Sequence, residues 1–188
     1  YFGGGVGSTV DRIDYSNDTA TAAVKGSLSL SRSELAATGN SSFGYFGGGY
    51  NNISTVDRID YSNDTATAAV KGPLSAGRYY LAGTGRSSFG YFGGGAQYGF
   101  GNYSLVDRID YSNDTATLVA KGPLTIFNLG RAATGNSSFG YFGGGLTVST
   151  VDRISYASDT STAVAKGPLS LARYALAATG NSSFGYFG

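Results

Sequence analysis

The sequence predicts an all-β chain, a tandem array of four-stranded antiparallel units. Three observations carry this. Tyr-Phe-Gly recurs at Tyr1, Tyr45, Tyr91, Tyr141 and Tyr186, at intervals of 44, 46, 50 and 45 residues. Val-Asp-Arg-Ile begins at Val10, Val56, Val106 and Val151, and Lys-Gly begins at Lys25, Lys71, Lys121 and Lys166. Val to Lys is always 15 residues and Lys to the next Tyr always 20. Between these anchors, short runs of Tyr, Phe, Val, Ile and Thr alternate with Gly, Asn and Asp turns. Self-similarity at fixed internal spacing marks a repeat architecture.

One unit divides into four predicted strands. Residues 35–38 (Leu-Ala-Ala-Thr) form the first, and Gly39-Asn40-Ser41 supplies a turn, since Gly and Asn tolerate positive φ. Residues 42–46 form an aromatic second strand that stops at Gly47-Gly48-Gly49. Residues 56–61 form the third, closed by the Ser62-Asn63-Asp64 turn. Residues 65–70 form the fourth, ending at Lys71-Gly72-Pro73. Residues 171–178 also fit a short helix, with Ser170 at the N-cap and Gly180 past the end. Their counterpart around Ile126 and Phe127 is a poor helix former, and equal spacing requires one conformation, so strand is predicted. The repeats run 1–44, 45–90, 91–140 and 141–185, with 186–188 opening a further one, in a single array. The chain starts inside one Tyr-Phe-Gly motif and stops inside another, which predicts a window on a longer array.

Composition narrows the chemistry. The 188 residues include 31 glycines and no Cys, His, Met or Trp. This excludes a disulfide, a thiol nucleophile, a Cys/His zinc site, a haem histidine and a Ser-His-Asp triad. Thirteen basic and 12 acidic side chains leave a net charge of +1 with no basic block, against a nucleic-acid partner. No apolar run approaches the roughly 18 residues of a membrane span. Hydrophobic residues, at 41%, suffice for a core. The glycine triplets are not followed by Lys-Ser/Thr and a helix, so they are not phosphate loops. They predict a sharp strand exit, with at least one positive φ in each. No enzyme activity, metal or cofactor is expected.

Four-stranded units of about 40–50 residues have the period of β-propeller blades. The order aromatic-Phe-Gly-Gly, variable loop, Arg-Ile-Asp-Tyr, Pro-Leu-Ser-x-x-Arg resembles the kelch repeat, across all four units. Arg32, Arg78 and Arg173 match that family's arginine, with Asn128 standing there in the third repeat. The family's Trp is replaced by Thr, Ala and Val. The phrase Val-Asp-Arg-Ile-Asp-Tyr-Ser-Asn-Asp-Thr-Ala-Thr also resembles long repetitive tail-fibre or virion-appendage proteins of marine bacteriophages. These resemblances imply propeller blades, alone or within a larger propeller or array, and a virion or extracellular location. They also imply other virion proteins or copies of itself as partners. The copper chemistry of galactose oxidase, a kelch-like enzyme, needs His ligands and a Cys-linked Tyr, which this chain lacks.

The recurring acids invite two readings. Asp11 with Asp14, Asp57 with Asp60, and Asp107 with Asp110, with Asp152 alone in the fourth repeat, could serve as paired acids for glycoside hydrolysis. They recur in every unit, however, and one active site needs one set. Pairing with Arg12, Arg58, Arg108 and Arg153 is the expectation. Asp14 to Asp18 places oxygens like a calcium loop, but without its Gly and Glu, so turn chemistry is expected. The Asn-x-Ser/Thr sites at Asn17, Asn40, Asn52, Asn63, Asn102, Asn113, Asn136 and Asn181 read as repeated turns for the most part.

All length variation sits after the glycine triplet, in loops of 4, 6, 10 and 5 residues. Tyr50, Asn51 and Asn52 lie in the second loop, and Tyr98, Phe100, Asn102 and Tyr103 in the third. Tyr, Asn, Gly and Ser are the vocabulary of adaptable recognition loops; drift in an unconstrained loop is the other reading. In an up-and-down unit these loops share a face with Lys25, Lys71, Lys121 and Lys166. The expected function is non-enzymatic: a structural or recognition module of a phage fibre or appendage. Its variable loops would bind a host surface glycan or protein. The alternative is a self-assembling scaffold with no ligand. No nucleic acid and no membrane partner is expected.

Overall fold

The computed structural model describes residues 1–188. It is all-β, a series of small antiparallel sheets with no α-helix. β1 (Phe2–Gly3), β2 (Val10–Arg12) and β3 (Ala23–Lys25) form a three-stranded sheet. β4 (Ala36–Gly39), β5 (Phe43–Gly47), β6 (Val56–Asp60) and β7 (Ala69–Lys71) form a four-stranded meander. The third sheet joins β8 (Ala82–Gly85) and β9 (Phe89–Gly93) to β12 (Val106–Asp110) and β13 (Val119–Lys121). Its variable loop folds into a separate hairpin, β10 (Ala96–Gln97) and β11 (Gly101–Asn102). β14 (Ala132–Gly135), β15 (Phe139–Gly143), β16 (Val151–Ser155) and β17 (Val164–Lys166) form the fourth sheet, and β18 (Ala178–Gly180) pairs with β19 (Gly185–Phe187). Three sheets are therefore four-stranded, rather than the four expected. Each sheet takes its first strand from the end of one repeat and its other three from the next, so the first sheet has three strands.

Register repeats with the sequence. Tyr45 faces Arg58, Tyr91 faces Arg108 and Tyr141 faces Arg153, each as a cross-strand pair. The first strands β4, β8, β14 and β18 lie side by side. They consist of Ala, Thr and Gly because neighbours there leave no room for larger side chains. A Cβ on Gly83 would run into the carbonyl of Ala37.

The cores lie between sheets. Ala36, Tyr45, Val56 and Leu74 pack against Leu81, Phe92, Ile109 and Leu118 of the following sheet. Ala82, Tyr91, Val106 and Leu124 meet Phe142, Ile154, Tyr156 and Ala163 in the same way. Val10 and Leu28 meet Phe46, Ile59 and Ala68. Tyr rings bridge the same boundaries: Tyr1 stacks on Tyr61 at 4.7 Å, Tyr45 on Tyr111 at 4.8 Å and Tyr91 on Tyr156 at 5.0 Å. Each large aromatic buried here removes roughly 150–250 Å² from water.

A polar clasp sits beside each core. Asp114, in the turn after β12, accepts Arg58 at 2.8 Å, Lys71 at 3.2 Å and the Tyr45 hydroxyl at 2.9 Å, all from the preceding repeat. Asp64 takes Arg12, Lys25 and Tyr1, and Asp159 takes Arg108, Lys121 and Tyr91. Backbone joins beside them: Gly26 donates to the carbonyl of Asp64, Gly72 to that of Asp114 and Gly122 to that of Asp159, each at 2.8 Å. A Cβ at any of these three glycines would collide with a carbonyl of the next repeat, which accounts for the Lys-Gly anchor. Three of the four anchor lysines are thus engaged between repeats.

The ion pairs therefore form with partners other than those the sequence suggested. Arg12, Arg58 and Arg108 reach the turn aspartates of the next repeat. Asp57, Asp107 and Asp152 pair instead with Arg32, Arg78 and Arg131, at 2.9, 2.9 and 2.8 Å with both side chains fully buried. Asp14, Asp60 and Asp110 accept the backbone N–H and hydroxyl of Ser16, Ser62 and Ser112, as turn formers do. Asn40, Asn136 and Asn181 likewise accept from the two N–H groups that follow in their turns.

Two strand expectations are corrected. Residues 65–68 leave the sheet, and β7 begins only at Ala69. There the chain runs along the previous repeat, with Ala68 donating to the carbonyl of Ser27 at 2.8 Å. Residues 171–177 are neither helix nor strand; β18 begins at Ala178, and Ala177 beside it exchanges backbone hydrogen bonds with Gly188. Arg173 donates across this link to the carbonyl of Phe187 at 3.0 Å. The glycine triplets behave as predicted: the second and third glycine of each has positive φ, from 69° at Gly94 to 139° at Gly49.

Two outcomes follow for stability. Gly72→Ala is expected to destabilise by about 1–3 kcal/mol in thermal or denaturant melting, because neither backbone at the seam can yield. Burial raises the carboxyls of Asp64, Asp114 and Asp159, but the hydrogen bonds and cations around each outweigh it and hold them below the ordinary range. A depressed carboxyl stabilises the fold above its unfolded pKa, about 3.9, and loses that contribution as pH falls through its folded value. Melting temperature is expected to fall below about pH 4 for this reason. Asp114→Asn should flatten that acid limb. Burial and the adjoining Asp raise the hydroxyls of Tyr45 and Tyr91, so their contribution is lost only as pH climbs above the ordinary tyrosine value.

Candidate functional site: an aromatic loop surface

The links between repeats and the variable loops meet on one surface, and a buried arginine fixes how they meet. Arg78 lies in the link before β8. Its guanidinium donates to Asp107 at 2.9 Å, to the carbonyl of Gly94 at 3.0 Å and to that of Phe92 at 3.3 Å. Its own carbonyl accepts the N–H of Gly49 at 2.8 Å. The positive φ of Gly48 and Gly49 aims the chain at this contact, and a Cβ on Gly48 would approach the Arg78 carbonyl to 2.6 Å. The second variable loop is thereby fastened to the link that follows it.

The third repeat reaches the same end by another route. Asn128 occupies the arginine position, is buried, and donates to the carbonyl of Leu146. Arg131, three residues later, supplies the guanidinium to Asp152 and to the carbonyl of Phe142. In the other repeats Leu35, Leu81 and Leu176 hold the place of Arg131.

Left-handed residues extend the links across the array. Tyr80 donates its N–H to the carbonyl of Glu34 at 2.9 Å, Gly130 to Tyr80 at 3.0 Å and Ala175 to Gly130 at 3.0 Å. All four have φ between 55° and 69°. Three of them are not glycine, a strain that this inter-repeat ladder compensates.

On this frame the variable loops place their aromatics. β10 and β11 form a hairpin whose tip is Tyr98-Gly99-Phe100, turned by Gly99 and Gly101 at φ 84° and 96°. Tyr98 is 71% exposed and Phe100 77%. Tyr103 is half-buried at the base, its hydroxyl bonded to the Gln97 side chain. Asn102 is exposed on β11. The preceding loop holds the tip from the side: the Asn52 amide donates to the carbonyl of Tyr98 at 3.2 Å and accepts its N–H at 2.7 Å. Asn51 is exposed, and both Asn51 and Asn52 adopt positive φ, which Asn tolerates better than most residues.

Tyr50, 47% exposed, meets Tyr79 edge-on at 5.7 Å, and Tyr79 meets Tyr80 at 5.5 Å. Tyr79 also exchanges backbone hydrogen bonds with Ala96, at the start of the hairpin. Tyr50, Asn51, Asn52, Tyr98, Phe100, Asn102 and Tyr103 therefore come from two loops that touch. Tyr79 and Tyr80 complete their surface. Sequence reading passed over this pair, although it stands where the first repeat has Ser33-Glu34 and the fourth Tyr174-Ala175. The surface offers ring faces and amides and no lysine. The chain matches no protein-family model and no curated protein.

Asp107→Asn is expected to cost about 3–5 kcal/mol, since it strands the buried charge of Arg78. Denaturant melting measures it.

Proposed function

We propose that the chain is a non-enzymatic recognition module, built of kelch-like propeller blades, in a fibre or appendage of a phage particle. It binds a host surface glycan or protein through the Tyr50–Tyr98–Phe100 surface. The observation that carries this reading is the exposure of Tyr98 and Phe100 at the tip of a hairpin braced by Asn52. Two large rings held in water at a fixed position gain nothing for the fold. They suit a ligand's apolar face, with the amides of Asn51 and Asn102 beside them for hydroxyl or peptide groups. Bracing removes part of the ordering cost of binding.

The blade reading rests on the sheets. Three have the order first-second-third-fourth strand, and the first strands are neighbours.

The test is binding to an array of bacterial surface glycans and to host cells, comparing the protein with Tyr98→Ala plus Phe100→Ala. The expected result is a loss of about tenfold or more with an unchanged melting temperature. Equal binding by both proteins, or binding by neither, contradicts the proposal.

A further inference from the structure

The aromatic loop surface carries no charge of its own. Residues 50–55 and 96–105, the two variable loops that touch, contain no Asp, Glu, Lys or Arg. The links at 27–35, 73–81 and 123–131 add only Arg32, Arg78, Arg131 and Glu34. Each of these arginines is buried and paired, with Asp57, Asp107 and Asp152 in turn. Glu34 is half-buried, and its carboxylate raises the hydroxyl of the neighbouring Tyr80. Lys71 and Lys121 are held in the clasps. Both loops lie inside the array, with a further repeat on either side.

Ring and amide are what the surface presents. Tyr98, Phe100, Tyr50 and Tyr80 are 71, 77, 47 and 38% exposed. Together they show roughly 350–600 Å² to water, taking 150–250 Å² for a whole aromatic. A protein partner of ordinary size covers about 800 Å² on each side. The apolar patch is smaller than that, and no exposed cation or anion on the loops sets the register of a protein partner. A carboxylate or phosphate laid on these rings would lose water with no cation to replace it. A pyranose ring fits both features. Its C–H face lies on the negative face of an aromatic ring. Its hydroxyls donate and accept, as do the exposed amides of Asn51 and Asn102.

We infer that the ligand of this surface is an uncharged glycan, a chain of neutral sugars stacked on Tyr98 and Phe100, and not an acidic polysaccharide or a protein. This deepens the recognition reading and rests on it. Two consequences follow from the chemistry. Salt leaves the binding unchanged, because screening acts on charges and none lies in the contact. The ring face, more than apolar area, carries the affinity. Phe100→Leu keeps an apolar side chain and removes the π face, whereas Tyr98→Phe keeps the face and removes only the hydroxyl.

The test uses a glycan array and host cells. The array carries neutral hexose and N-acetylhexosamine oligosaccharides beside the same oligosaccharides bearing uronic acid, sialic acid or phosphate. The cells are treated with periodate, which cleaves the vicinal diols of sugars, or with protease. Neutral oligosaccharides are expected to bind at least about tenfold more tightly than their acidic counterparts. Raising NaCl from about 0.05 to 0.5 M is expected to change affinity by less than about twofold. Cell binding is expected to survive protease and to be lost after periodate. With melting temperatures unchanged, Phe100→Leu is expected to weaken binding about two- to tenfold, and Tyr98→Phe to stay within about twofold of wild type. Preference for the acidic oligosaccharides, affinity that falls with salt, cell binding abolished by protease, or Phe100→Leu that binds like wild type overturns this inference while recognition by the surface stands. Binding to no oligosaccharide and no cell overturns the recognition reading itself, and this inference with it.

Discussion

The structure depends on one carboxylate per repeat boundary. Asp64, Asp114 and Asp159 each gather a phenol, a guanidinium and an ammonium from the repeat before. One negative charge in a partly dry place cannot be left unpaired cheaply, and neither can two cations. The clasp therefore fixes where each sheet lies on the last. Beside it the glycine of Lys-Gly lets two backbones touch, and behind it Tyr rings stack. Each contact joins only neighbouring repeats, so stability is distributed along the chain as intrinsic and interface contributions.

The loop surface follows from that arrangement. With the sheets in fixed relation, Gly49, Gly95 and Gly145 donate to the link of the following repeat, and buried Arg78–Asp107 and Arg131–Asp152 pairs hold the first two of those links down. Variable loops then have fixed roots and free tips. The hairpin bearing Tyr98 and Phe100 is the longest of them. It is steadied by a neighbour 46 residues away in sequence, the distance between Asn52 and Tyr98. A braced tip gives up less ordering entropy on binding than a free one.

Much of this was legible in the residues. Fixed spacing between Tyr-Phe-Gly, Val-Asp-Arg-Ile and Lys-Gly exposed the repeat, and short runs of β-preferring residues between turns exposed the strands. The positive φ of the triplets followed from glycine held beside a loop that changes. The boundary partners were not legible, because a sequence repeating every 45 or so residues pairs Arg58 equally well with Asp57, Asp60 or Asp114. Only packing chooses among them. The early part of 65–70 read as strand from its Thr and Ala, yet Ala66 bonds within its own turn and Ala68 to Ser27 of the previous repeat. The exchange of Asn128 and Arg131 did leave a trace: where the arginine is missing, an arginine stands in place of a leucine three residues on. The contribution of Tyr79 and Tyr80 to the loop surface left little, because they lie in a link and not in a variable loop.

The central claim is that the aspartate clasp couples adjacent repeats. A double-mutant cycle measures that coupling, with Asp114→Asn and Lys71→Gln made singly and together and unfolding followed in denaturant. Residues 43 apart in sequence have no reason to interact unless the clasp forms. The account predicts a coupling energy of about 0.5–3 kcal/mol between them. Additive effects of the two substitutions would contradict it.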